Sequence, residues 1–211
     1  MPLSLQNAYE LMHSDLEEFL NRVPITISGA GSKVKAVQYY LSDTGYSSFG
    51  RIKGMASKEV RRRFSTMDYG TTRGPVSCIH IPVTSFDKLT SDSFVRVNSY
   101  NTSNFLCTTQ LSGCTFAVRK NKDGIEFTHI QPTDTVHGPE VQQHMAQSYE
   151  VSFGRGNVSD GATYAPGTSV TIMGQRKNNL WEVFAQYQDS DKNVLGVVCI
   201  YKEPSSVQYV T

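Results

Sequence analysis

The chain has 211 residues and a net charge of +1, from 20 Lys and Arg against 19 Asp and Glu, with 38% hydrophobic and 18% charged residues. That length buries one core without disulfide or metal staples, so a single domain over residues 1–211 is expected. The near-neutral charge removes the electrostatic case for nucleic acid or an anionic membrane as partner, and no apolar run reaches the length of a membrane-spanning helix. The N-terminus, MPLSLQNAYELMHSDLEEF, has neither the basic start nor the continuous apolar stretch of a cleaved secretion signal.

Residues 4–23 read as one amphipathic helix, capped by Ser4 and ended by Pro24, with His13 on its surface. Residues 25–29 read as a short strand, and 33–42 are open between strand and helix. A Gly-, Ser- and Tyr-rich loop follows over 43–53. Residues 57–66 suggest a short helix whose Arg61-Arg62-Arg63 run forms a solvated face. From residue 76 the pattern turns to strands, at 76–83, 93–100, 105–109, 115–120, 125–130, 149–154, 168–175, 180–188 and 194–202. A helix over 138–147, with Pro139 in its first turn, interrupts them. This order predicts an α+β fold, a β-sandwich of mostly antiparallel strands with flanking helices. The stretch 154–167, GRGNVSDGATYAPG, lacks the Lys-Ser/Thr ending of a phosphate loop and is expected to be a mobile wall of the functional site.

The four cysteines, Cys78, Cys107, Cys114 and Cys199, contain no Cys-x-x-Cys pair and match no zinc spacing. Cys78 and Cys199 lie in apolar runs and read as buried free thiols, and all four are expected reduced. His80, His137 and His144 read as structural, since no spacing gathers them with a carboxylate around a metal.

The stretch from Thr108 to Pro132, TTQLSGCTFAVRKNKDGIEFTHIQP, carries the chemistry. Cys114 follows a Leu-Ser-Gly turn. Two strand-like runs flank Asn121-Lys122-Asp123-Gly124, and Asp-Gly is a strong hairpin signal. Folding about it sets residues 114–116 opposite 128–130, give or take one, so that the His129 imidazole reaches the Cys114 sulfur. A free thiol titrates near about 8.5, so a nucleophilic cysteine needs a base beside it. A hydroxyl or a backbone carbonyl must then orient the imidazole. Gly113 permits a tight turn with unusual dihedrals, which can aim backbone N–H groups at an oxyanion.

Leu111-Ser112-Gly113-Cys114 followed after a hairpin by His129 resembles the cysteine deamidases of the cytotoxic necrotizing factor class. That group includes the necrotizing factors, Burkholderia lethal factor and the chemotaxis receptor-modifying deamidases. The resemblance covers roughly twenty-five residues of the 211. It implies a single catalytic domain, with Cys114 as nucleophile and His129 as base. Thr108, six residues before the cysteine, would orient the imidazole, with Thr109 the off-by-one competitor. Ser112 and Gly113 would form the oxyanion turn. It implies no metal and no organic cofactor. It further implies a monomer, secreted or injected, that converts a glutamine of a host protein to glutamate in the host cytoplasm. The compact members suggest the DEAD-box helicase of translation initiation as target; the necrotizing factors suggest Rho-family GTPases. A transglutaminase or cysteine protease would use the same chemistry, and a non-catalytic β-sandwich binding module would use Cys114 and His129 structurally.

Overall fold

A computed structural model describes residues 3–29, 36–44, 60–68, 70–98, 101–156 and 163–204. Ser4 caps α1 (Leu5–Ser14) by accepting from the Asn7 N–H. Asp15 is extended, at φ −149° and ψ 91°, and its carboxylate accepts from the Glu18 N–H to start α2 (Leu16–Arg22). The helix expected over 4–23 is therefore two helices. A capping side chain at Asp15 satisfies donors that a continuous helix would have bonded itself.

The first sheet has eight strands: β1 (Ile25–Ser28), β2 (Ala36–Asp43), β3 (Arg62–Ser65), β4 (Thr72–Ile81), β7 (Phe105–Thr108), β12 (Ser169–Lys177), β13 (Leu180–Gln188) and β14 (Val194–Lys202). They run in the order β1-β3-β2-β4-β7-β12-β13-β14. The second sheet is built from β5 (Val83–Ser85), β6 (Val95–Val97), β8 (Thr115–Asn121), β9 (Gly124–Gln131), β10 (Val151–Arg155) and β11 (Thr163–Tyr164). Its order is β11-β10-β8-β9-β5, with β6 also on β9. Pairings are antiparallel except β1 with β3, β4 with β7, β5 with β9 and β10 with β11. The expected α+β sandwich is thus the observed fold.

The core explains the layering. Ile79, Leu106, Ile172 and Val183 of the large sheet meet Phe116, Val118, Phe127 and Phe153 of the small one. On the far side of the large sheet, Met12, Leu16, Phe19 and Leu20 of the two helices cover Tyr39, Leu41, Phe64 and Phe105. On the far side of the small sheet, α3 (Gly138–Ala146) lays Val141 and Met145 on Ala117 and Ile130. Each such fully buried aliphatic or aromatic side chain contributes roughly 1.5–3 kcal/mol. Period-two alternation makes the middle layers possible: along β13, Val183 faces one core and Phe184 the other. Among the described residues no helix is long and apolar enough to cross a membrane.

Three expectations are corrected. Residues 62–65, assigned to a helix over 57–66, form β3; residues 57–59 lie outside the described residues. Arg62 is not on a solvated face. It is buried, with Nε donating to Asp43 Oδ1 at 3.0 Å and a terminal nitrogen donating to the Leu3 carbonyl at 2.6 Å. Cys199 is exposed on the edge strand β14, whereas Cys78 is buried. The loop over 43–53 lies outside the described residues beyond Thr44.

The run expected over 76–83 divides at Pro82. β4 ends in the large sheet at Ile81, and β5 begins in the small sheet at Val83. This corner carries the chain from the interior of the large sheet to the edge of the small one, beside Thr108 and His129.

Candidate active site

The hairpin of β8 and β9 closes at Asn121 and Gly124, with Thr115 opposite Ile130 and Phe116 opposite His129. This register lies one residue from the pairing of 114–116 with 128–130. The shift matters because one residue exchanges the faces of a strand. His129 falls on the same face as Phe116 and Phe127, which point into the inter-sheet core. Cys114, two residues before Phe116, packs against that core as well. The Cys114 thiol and the His129 imidazole therefore share a face, as diagonal neighbours across the strand pair.

Thr108 ends β7, fully buried. Its Oγ1 lies 2.7 Å from the Ile81 carbonyl and 2.7 Å from His129 Nδ1. A hydroxyl has one proton. Donated to Ile81, that proton leaves Oγ1 to accept from Nδ1–H. The ring is thereby fixed as the tautomer whose Nε2 carries a lone pair. Nε2 is buried and makes no hydrogen bond. Thr109, the competitor, is half-buried and has no part in this arrangement.

Burial pulls the His129 pKa down to about 3, and nearby His80 adds to the fall. His80 is itself buried, held by the Tyr39 hydroxyl at 2.9 Å. Burial pushes the Cys114 thiol up, against the backbone N–H groups of Ser112 and Gly113, which face it and lower it. The resting pair is a neutral thiol and a neutral imidazole. No hydrogen bond joins Sγ to Nε2, so the direct reach expected of the imidazole is not made at rest. Such contacts tighten on substrate binding in many enzymes.

The turn before Cys114 is not strained in the expected way. Gly113 is not among the residues with positive φ, and a Cβ there would meet nothing within 4 Å. Its missing side chain leaves open space instead. The tight position is across from it: a Cβ on Gly138 would stand 2.7 Å from the Gly113 carbonyl. Ser112 is exposed. A cleft of about 540 Å³ opens beside this turn, lined by Gly113, Pro132, His137, Gly138, Arg155 and Pro166 among others. Arg155 and Pro166 belong to the stretch expected to wall the site; its residues 157–162 lie outside the described residues.

Sequence reasoning missed Tyr164, whose hydroxyl donates to the Cys114 carbonyl at 2.7 Å. His137 precedes α3 as expected, and the Glu140 carboxylate accepts from its N–H. His144 packs edge-on against Phe86. Among the described residues no group of His, Cys, Asp and Glu is arranged to hold a metal. All four cysteines are free, and Cys78 and Cys107 meet at 3.3 Å behind Thr108.

The fold and site together define an α+β sandwich with a Thr–His pair buried behind a half-exposed cysteine. No family model matches the chain, and no curated protein matches it. Among solved structures it is similar to the C-terminal domain of CNFy from Yersinia pseudotuberculosis, at 8% identity and a TM-score of 0.43, over 90% of this chain and 96% of that one.

Proposed function

We propose that this protein is a cysteine amidohydrolase that deamidates a glutamine side chain of another protein. The observation that carries the reading is the orientation of His129. Thr108 Oγ1 accepts from Nδ1–H, and Nε2, which carries the lone pair, is left buried without a hydrogen bond on the face that Cys114 shares. A structural histidine would have both nitrogens satisfied. An unpaired buried nitrogen costs stability, and general-base catalysis is a use that explains keeping it.

In this reading Nε2 accepts the thiol proton as Sγ attacks the amide carbon of glutamine. The carbon becomes tetrahedral and its oxygen negative. Backbone N–H groups of the 112–114 turn hold that oxygen. The imidazolium returns the proton to the nitrogen, ammonia leaves, and a thioester remains. Water, deprotonated by Nε2, attacks the thioester and releases glutamate and the thiol. The resting pair is neutral, so the thiol proton moves to Nε2 only as Sγ attacks, and the buried imidazole is a weak base until the substrate seats beside it. Neither a metal nor an organic cofactor enters these steps.

The open cleft beside Cys114 suits a segment of a folded protein better than a free amino acid. The translation-initiation DEAD-box helicase is the first target to test, and a Rho-family GTPase the second, with the protein acting in host cytoplasm after secretion or injection. Host lysate incubated with wild type or Cys114→Ser and analysed by peptide mass spectrometry tests this. The expected result is one glutamine converted to glutamate by the wild type alone. Cleaved or cross-linked targets, or conversion that survives Cys114→Ser, would end the deamidase reading.

A further inference from the structure

We propose that the Tyr164 hydroxyl is a catalytic hydrogen-bond donor that, with the backbone N–H groups of Gly113 and Cys114, holds the negative oxygen formed when Cys114 attacks an acyl group. The inference rests on the cysteine-nucleophile reading above and adds a residue to it that no local sequence pattern marks.

Tyr164 reaches the turn from a distant part of the chain. β11 pairs in parallel with β10, with Tyr164 opposite Arg155. The ring packs on Phe153, with centroids 5.7 Å apart, and is 2% exposed. That packing fixes the ring and delivers its hydroxyl to the Cys114 carbonyl at 2.7 Å.

Three consecutive N–H groups converge at the same place. Those of Ser112 and Gly113 face the Cys114 thiol, and those of Gly113 and Cys114 face the Tyr164 oxygen. None of the three is spent on another backbone group among the described residues. Successive free N–H groups in a turn form a concavity that accepts anions. The Gly113 N–H faces both the sulfur and the phenol oxygen. With Tyr164 held 2.7 Å from the Cys114 carbonyl, a C–O⁻ on a carbon bonded to Sγ would form within reach of the same hydroxyl.

The phenol suits this place chemically. Its burial and the neighbouring thiol push its pKa well above the ordinary value, so it stays protonated and neutral. A phenol proton rotates about its C–O bond at little cost. It can leave the Cys114 carbonyl for a stronger, charged acceptor as the tetrahedral adduct forms. Donors fixed in advance in a dry site cost no reorganisation at that moment.

Two small reagents separate this role from a merely structural one without any target protein. Acylation of Cys114 by p-nitrophenyl acetate passes through a tetrahedral oxyanion. Alkylation by iodoacetamide displaces iodide and forms none. With Tyr164→Phe, the acylation rate is expected to fall by about 10²-fold, the scale on which loss of one oxyanion donor acts. The alkylation rate should stay within about twofold of wild type, since the thiol and its base are untouched. Replacing Tyr164 by 3-fluorotyrosine, which keeps the donor, should restore acylation and guards against a folding defect of the phenylalanine variant. Peptide mapping confirms that Cys114 is the labelled thiol. Equal losses in both reactions would make Tyr164 a positioning residue for the turn and overturn the proposal; so would no loss in either. If Cys114 is labelled by neither reagent in the wild type, the nucleophile reading itself fails.

Discussion

Burial of a neutral His129 should make this protein sensitive to acid in a way that one substitution removes. The imidazole has a pKa of about 3 in the folded protein and about 6.5 in the unfolded chain. Above pH 6.5 both states are neutral and the group favours neither. Below it the unfolded chain binds a proton that the folded protein does not, so stability falls as pH falls, until about pH 3 is reached. The full span of about 3.5 units at 1.36 kcal/mol each sets a ceiling of about 5 kcal/mol. Between pH 7 and pH 4.5 the loss is about 2.5 kcal/mol by the same relation. Urea unfolding at the two pH values measures it, with fluorescence of Trp181, the one tryptophan, as reporter; it is 3% exposed in the inter-sheet core. His129→Asn keeps a donor for Thr108 and cannot titrate. Contributions from the carboxylates are common to both proteins and cancel in the difference. The wild type should lose about 2.5 kcal/mol more than the variant on going from pH 7 to pH 4.5. Equal losses would mean that His129 is not held neutral, and the assignment of an unprotonated Nε2 would fail with it.

Three pairs of substitutions test other parts of the structure. Thr108→Val removes the hydroxyl that both Ile81 and His129 use, so it should lower kcat by one to two orders of magnitude with little change in KM, while Thr109→Val leaves both near wild type; equal kinetics in the two would separate the hydroxyl from the chemistry. Gly113→Ala projects a methyl into open space at the cleft and should fold normally with a raised KM, whereas Gly138→Ala pushes the Gly113 carbonyl and should lower kcat; the reverse split in steady-state kinetics would show that the turn is not where substrate enters. Asp43→Ala leaves the buried Arg62 guanidinium with one fewer partner and should cost about 1–3 kcal/mol in urea unfolding, more than Arg62→Met, which removes the buried charge itself; the opposite order would contradict the burial of the guanidinium.

Much of the fold was legible because its signals are local. Asp-Gly between two alternating runs announced the hairpin, and the last two strands, expected at 180–188 and 194–202, have those bounds. Its register was not legible. Both faces of β8 and β9 are covered, one by the large sheet and one by α3, so residues 115–118 and 125–130 are buried without alternation. A strand apolar on both faces carries no period that tells inside from outside, and the turn alone sets the parity. Arg62 was misread for a related reason. Its partners, Asp43 and Leu3, lie 19 and 59 residues away, and three adjacent arginines look solvated until such partners are found. Tyr164 lies 50 residues beyond Cys114 and meets it only through the pairing of β10 with β8 and β11.

The division between local and distant signals also describes how the site is made. The Cys-His spacing is local, but the state of the imidazole is not. Ile81 pairs with Thr108 in the large sheet, and Val83 pairs with His129 in the small one. Only Pro82 separates those two contacts. The carbonyl that fixes the Thr108 proton, and through it the tautomer of His129, is thus held by the corner where the chain passes from one sheet to the other. A free hairpin of the same sequence would have the cysteine and the histidine but no reason for Nε2 to carry the lone pair. Closure of the sandwich supplies that reason. It does so from behind, leaving Cys114 on a half-exposed turn at the cleft as the partner with room to adjust. If the protein is the amidohydrolase proposed, a rigid imidazole and an adjustable thiol form the arrangement in which a substrate, by seating on the turn, completes the contact between Sγ and Nε2 that the resting protein lacks.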